Sequence, residues 1–268
     1  MTRLKIEFLC SLIIIGLPTA GLAQNPYQTC WSSDGWILGI GGTTAIAALL
    51  TEQAVNPLSA QEINRLTRGE VNAFDRPATY NYSKSISRIS DVLVGLNAAA
   101  AGMLLLSDTQ VRKDWPTLGI MSLETALWVT ALPGLVKGQV KRIRPYVYNP
   151  QAPWPDKTAA EARRSFFSGH TTTAFATAVF VSTVHGDYFP RSGWKPYIWS
   201  GSLLVASTIG YLRFQSGKHF PTDILAGAAV GSAIGYLVPL LHRRSDKNLS
   251  ISPVVTERIF RLSVCYGF

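Results

Sequence analysis

Six apolar stretches, at residues 36–51, 89–107, 117–136, 171–185, 197–212 and 223–241, alternate with polar, proline-bearing connections. Their length favours helices over strands. A full membrane crossing takes about 20 residues, with about 17 near the lower end. The last stretch meets that need best and the first meets it least, and some carry polar groups such as Glu124. The pattern predicts an all-α fold, a multi-helix bundle integral to a membrane. A buried, soluble helical bundle is the alternative.

Both ends of the chain read differently. Residues 8–17 form an apolar core behind Arg3 and Lys5, and Gly21, Leu22 and Ala23 follow. This is the layout of a secretory signal with cleavage before Gln24, or of an uncleaved anchor. At the far end Phe260, Leu262, Val264, Tyr266 and Phe268 alternate with smaller or polar residues, the period of a strand. With residues 249–255 they would form a short C-terminal β-hairpin. The expected organisation is a signal at 1–23, a helical segment and polar connection at 24–88, a helical bundle at 89–245, and a strand-like tail at 246–268.

Charge then narrows the partners. Only 15% of the 268 residues are charged, yet the net charge is +9, which suits anionic substrates and anionic lipid surfaces. Basic residues are not interleaved with aromatics, so no nucleic-acid partner is expected. The mean hydropathy of +0.16 leaves a soluble form open.

Reactive side chains gather at the ends of the apolar stretches. Lys137 and Arg144 are seven residues apart. On one continuous helix they would share a face about 10.5 Å apart, before Pro145 turns the chain away. Arg144 can grip phosphate oxygens with two parallel bonds, and Lys137 adds a point charge. Ser168, Gly169 and His170 precede an apolar run and fall at a helix N-terminus, where backbone N–H groups bind anions. Arg213, His219 and Asp223 straddle a turn in which Pro221 suits the first position of a new helix. A carboxylate beside His219 would fix its tautomer and leave the other nitrogen free to attack. Taken singly, the first cluster reads rather as a solvated basic face with Lys141 and Arg142, the second equally as a serine N-cap before a surface histidine, and the third rather as a loop histidine with a helix-starting aspartate. Together they fall on one side of a bundle, because alternate segment ends share a side.

The spacing Lys-x6-Arg-Pro, Ser-Gly-His, Arg-x5-His-x3-Asp resembles the type 2 phosphatidic acid phosphatase superfamily over roughly residues 89–241. That superfamily also holds bacterial class A acid phosphatases and vanadium haloperoxidases. Phe167 stands where the pattern usually has proline, and Leu212 where it usually has serine. The resemblance implies phosphoryl binding by Lys137, Arg144, Ser168, Gly169 and Arg213. It implies His219 as nucleophile, His170 as general acid and then base, and Asp223 as the group orienting His219. It also implies a metal-independent phosphatase acting on an anionic lipid phosphate or pyrophosphate, with no cofactor. A soluble acid phosphatase, a haloperoxidase, a phosphotransferase and a lipid-binding protein are the alternatives. No acidic cluster or His-x3-His pair in the sequence suggests a metal site.

The residues between motifs, 146–164, read equally as a cover over the site that contacts substrate and as an unrelated surface loop, and Arg163 and Arg164 would add phosphate or lipid headgroup contacts. By resemblance, the site is expected to face the periplasm from a bacterial inner membrane. With a cleaved signal, that orientation requires five spans, the stretch 36–51 not crossing. Six spans would turn the site to the cytoplasm. Cys30 and Cys265 can pair only if they share an oxidising compartment.

Overall fold

The computed structural model describes residues 25–244, 248–256 and 259–267, with side chains through 244. The signal at 1–23 and the Cys265 side chain lie outside the described residues. Six long helices carry the fold: α1 (Trp31–Gln53), α2 (Lys84–Ser107), α3 (Trp115–Val140), α4 (Gly169–Tyr188), α5 (Lys195–Gln215) and α6 (Pro221–His242). Each of the six apolar stretches falls inside one of them. The polar connection between α1 and α2 holds a short helix, Ala60–Arg65, capped by Ser59 and Glu62 in reciprocal hydrogen bonds. Beyond α6, Asn248–Thr256 and Ile259–Gly267 pair antiparallel, from Asn248 opposite Gly267 to Thr256 opposite Ile259.

The helices α1, α2 and α6, and the stretch Trp115–Tyr148 containing α3, are each long and apolar enough to cross a membrane. Their outward faces are apolar too. Leu49 and Leu50 on α1, Val92 and Leu96 on α2, and Leu237 and Leu241 on α6 are exposed. So large an apolar surface is costly in water and matched in lipid. Trp31, Trp115, Trp194 and Tyr197 are exposed at or near the starts of α1, α3 and α5, all at one end of the bundle. Aromatic residues at that level are the mark of a membrane–water interface. The fold is a membrane-integral helical bundle.

Small residues set the closest contact. A Cβ at Gly227, Gly231 or Gly235 would sit 2.7, 2.2 or 2.3 Å from the carbonyl oxygens of Ser168, Thr172 and Ala176. Glycine at every fourth residue therefore lets α6 lie directly on the backbone of α4. That contact fixes the start of α6 beside the start of α4, which is where the second and third motifs meet.

The chain path also joins its two described ends. The Gln28 amide donates to the His242 carbonyl at 2.9 Å, and the Arg244 amide to the Pro26 carbonyl at 2.8 Å. Residues 25–30 and 242–244 thus lie together at the end opposite the starts of α4 and α6. The five-span path, which would put them on opposite sides, is overturned. Its premise was that 36–51 is too short to cross, but α1 extends the stretch to 23 residues.

Candidate active site

The site lies where α1, α3 and α5 end and α2, α4 and α6 begin. Helix α3 stops at Val140, with Lys141 in the left-handed region at φ 50°. Lys137 therefore stays on the helix while Arg144 does not, which corrects the expectation of a shared helical face. The physical reason is tertiary. The Arg144 amide donates to the Ala162 carbonyl at 2.8 Å. Its side chain bonds the Glu161 carbonyl through Nε at 3.0 Å and the Glu161 carboxylate through Nη2 at 2.5 Å. Arg144 is buried and its Nη1 has no hydrogen-bond partner among the described residues.

Arg213, in the last turn of α5, is buried as well. Its Nη1 reaches Ser90 Oγ and Asp91 Oδ1, both at 2.9 Å, while its Nε has no partner among the described residues. The same Asp91 oxygen lies 2.8 Å from His170 Nε2. Asp91 on α2 thus joins a motif-two histidine to a motif-three arginine. Sequence reading missed it, because nothing local distinguishes it on α2 and its partners lie far along the chain.

Ser168 is the N-cap of α4, accepting from the Thr171 amide at 3.4 Å and from Thr171 Oγ1 at 2.9 Å. It is fully buried, so its oxygen caps the helix. Gly169 and His170 occupy the first two helical positions, whose N–H groups have no intrahelical acceptor. A Cβ at Gly169 would come 3.3 Å from Lys137 Nζ, so the first and second motifs touch here.

His219 lies in the turn before α6 and is buried. Its Nδ1 stands 2.8 Å from the Ser165 carbonyl oxygen. A carbonyl only accepts, so Nδ1 carries the proton and Nε2 keeps its lone pair. Asp223 is 3.6 Å from the same Nδ1, beyond hydrogen-bond length. Its carboxylate is engaged elsewhere. It accepts from Ser165 Oγ and Arg142 Nη1, each at 2.5 Å, and from the Phe220 amide at 2.9 Å. The group expected to hold the imidazole therefore acts one step back, through Ser165.

Arg142, two residues before Arg144, is a hub. Its Nη2 meets Asp75 at 2.8 Å, and Asp75 also accepts from the Thr222 amide at 3.0 Å. Arg163 pairs with Glu62 and Arg164 with Glu52, and the Nε of each is buried without a partner among the described residues. Residues 146–164 do reach the site, through Glu161 on Arg144 and Asp156 on Lys84.

Electrostatics follow from this crowding. Burial, then the charges of Arg144, Arg213 and Lys137, hold His219 well below the usual histidine range, so it stays neutral. Burial and Arg144 bring the Lys218 ammonium down to about 8. Arg144 lowers the Glu161 carboxyl despite its burial. The arrangement offers a neutral, aimed imidazole among fixed cations.

An apolar groove of about 380 Å³ runs from this centre toward the bundle's flank. Its wall includes Ala45, Leu49, Val94 and Val129, and its inner end is formed by Lys137, Gly169 and His170.

Comparison with known proteins finds the same resemblance. Residues 118–247 match the model of the PAP2 superfamily. A stretch of 105 residues is 36% identical to a probable diacylglycerol pyrophosphate phosphatase 1 of Schizosaccharomyces pombe, covering 35% of this chain and 38% of that protein. Another, of 128 residues, is 38% identical to a lipid A 1-phosphatase of Porphyromonas gingivalis, covering 47% of this chain and 24% of that one. The chain thus spans well under half the length of either relative. Among solved structures, a transmembrane PAP2 type phosphatidylglycerolphosphate phosphatase from Bacillus subtilis covers 75% of this chain and 94% of its own, at 20% identity and a TM-score of 0.47. With all three motifs gathered around His219, residues 118–247, just under half of this chain, match the PAP2 superfamily.

Proposed function

We propose that this protein hydrolyses a phosphate monoester or pyrophosphate carried on a lipid, through a phosphohistidine on His219 and without a catalytic metal. The observation that carries the reading is the pair of buried guanidinium groups, Arg144 and Arg213, each with an unpartnered N–H beside a neutral His219. A phosphoryl group would satisfy those donors. Stabilising its spread charge is the main catalytic task in such a transfer. Lys137 and the amides of Gly169 and His170 complete the cradle.

In the first step the His219 Nε2 lone pair attacks phosphorus. The bond from phosphorus to the leaving oxygen breaks, and that oxygen takes a proton from His170. In the second step His170 takes a proton from water as the water oxygen attacks phosphorus. The P–N bond breaks, its electrons return to Nε2, and inorganic phosphate leaves. Ser165, holding Nδ1–H, stabilises the positive imidazole that exists between the two steps.

The apolar groove ending at Lys137 and His170 supports a lipid substrate, since one continuous surface would take both chain and phosphate. The relatives named for diacylglycerol pyrophosphate and lipid A point to the same substrate class. The test is phosphate release by detergent-purified protein from a panel of lipid and soluble phosphates, with His219→Ala as control. Release from lipids that is lost in the variant supports the proposal. Release confined to small soluble esters overturns the lipid assignment.

We also infer a bacterial inner-membrane location with the site facing the periplasm, as the resemblance implies. Residues 25–30 then lie on the cytoplasmic side. In this fold that orientation excludes a cleaved signal at 1–23, since cleavage would leave residue 25 outside.

A further inference from the structure

At the end of the bundle away from His219, three residues from three helices converge: Asp34 on α1, Glu124 on α3 and His242 on α6. Their ligating atoms all lie within 4.8 Å of one another, and all three side chains are buried. His242 Nε2 is 3.3 Å from Asp34 Oδ1 and 3.4 Å from Glu124 Oε2. We propose that Asp34, Glu124 and His242 bind a divalent first-row metal ion, by geometry Zn²⁺, as a structural clasp between α1, α3 and α6.

Several independent features point to an ion. His242 donates its Nδ1 proton to the Val238 carbonyl at 2.8 Å. That bond turns the Nε2 lone pair inward, the usual way a protein orients a ligating histidine. Both Glu124 oxygens and His242 Nε2 are buried with no hydrogen-bond partner among the described residues. A buried carboxylate with neither oxygen satisfied is costly. The separations also discriminate. A charge-assisted N–H···O bond closes to about 2.7–2.9 Å. Ligand atoms about 2.0–2.1 Å from a tetrahedral Zn²⁺ stand about 3.3 Å apart. The observed 3.3 and 3.4 Å match the second figure.

Charge balance agrees. Two carboxylates with a neutral imidazole carry two negative charges, which a divalent ion cancels inside a low-dielectric bundle. Asp34 is further braced by the Cys30 amide, which donates to its Oδ2 at 2.8 Å. Three protein ligands leave a fourth position for water. The clasp is too far from the phosphoryl site to touch substrate. Glu124 and Lys137 sit on one helix about 20 Å apart, at about 1.5 Å per residue. Sequence spacing conceals the site because each ligand comes from a different, distant helix.

The test uses full-length protein purified in detergent without a polyhistidine tag. Metal content by mass spectrometry is expected to show about one Zn²⁺ per chain, falling to background in Glu124→Gln and His242→Gln. Metal-stripped wild-type protein titrated with Co²⁺ is expected to develop the visible absorption of tetrahedral Co²⁺, saturating at one equivalent, and to regain thermal stability. Should the variants fail to fold, the wild-type titration still decides. Folded wild-type protein that neither retains Zn²⁺ nor binds Co²⁺ stoichiometrically overturns the proposal and leaves a proton-sharing triad. His219→Ala is expected to keep the ion, so a failed phosphatase assignment would not affect this result.

Discussion

His219 gives its Nδ1 proton to the Ser165 carbonyl at 2.8 Å, while the Asp223 carboxylate stands 3.6 Å from the same nitrogen. The backbone therefore sets the tautomer. Asp223 secures Ser165 and Arg142 around it. Asp223→Asn is accordingly expected to keep a measurable phosphohistidine while losing stability. Breaking a fully buried ion pair costs about 3–5 kcal/mol, and the partial exposure of Arg142 brings the expected loss to about 2–3 kcal/mol. Thermal unfolding and phosphoenzyme trapping measure the two effects. A variant as inactive as His219→Ala would mean that the carboxylate acts on the imidazole directly.

The proposed general acid has its own partner. Asp91 contacts His170 Nε2 at 2.8 Å and Arg213 at 2.9 Å. His170→Ala is expected to slow esters with poor leaving groups by about 10²–10⁴-fold, the usual worth of general acid catalysis, and activated aryl esters far less. Asp91→Asn is expected to show the same selectivity more weakly. Equal slowing of both substrate types by His170→Ala would refute the acid role.

Because His219 is held neutral by burial and neighbouring cations, the neutral form proposed to attack phosphorus persists below the ordinary histidine range. Phosphoenzyme formation in rapid quench is expected to survive down past pH 6.5, the unperturbed value. Stability moves the other way. Below about 6.5 the unfolded chain takes up a proton that the folded chain refuses. His219 therefore lowers stability by about 1.4 kcal/mol per pH unit as pH falls. The decline stops once pH passes below the folded-state value. Urea unfolding of wild type and His219→Gln across this range isolates the contribution.

Cys30 is exposed at the end of the bundle opposite the site. With Cys10 and Cys265 replaced by serine, a membrane-impermeant maleimide applied to intact spheroplasts is expected to leave Cys30 unlabelled until the membrane is opened. Labelling of closed spheroplasts would put the site in the cytoplasm and restore the signal reading of 1–23.

The helix contact beneath the site is tight enough to test alone. A Cβ at Gly231 would lie 2.2 Å from the Thr172 carbonyl oxygen. Gly231→Ala must push α6 off α4. Overpacking of this kind costs about 1–3 kcal/mol. A lower unfolding temperature should accompany lost activity, because the same contact seats His219 against Ser165. Gly193→Ala, where a Cβ meets nothing within 4 Å, is the neutral control.

Local chemistry determined much of this protein. Apolar run length gave six helices, because a helix long enough to cross lipid needs a run that long. The spacing of Lys137, Arg144, Ser168, Gly169, His170, Arg213, His219 and Asp223 marked one candidate site, at one end of the bundle, because alternate helix ends share a side. What the tertiary structure alone decided depends on partners far apart in the chain. Glu161 draws Arg144 off the helix of Lys137, and Asp91 couples His170 to Arg213. Ser165 takes the hydrogen bond expected of Asp223. The pairing of residues 25–30 with 242–244 fixes the parity of the helices. Asp34, Glu124 and His242 meet only after α1, α3 and α6 have packed. Hydrophobic periodicity is written locally, but hydrogen bonds between distant side chains exist only once packing has set their distances.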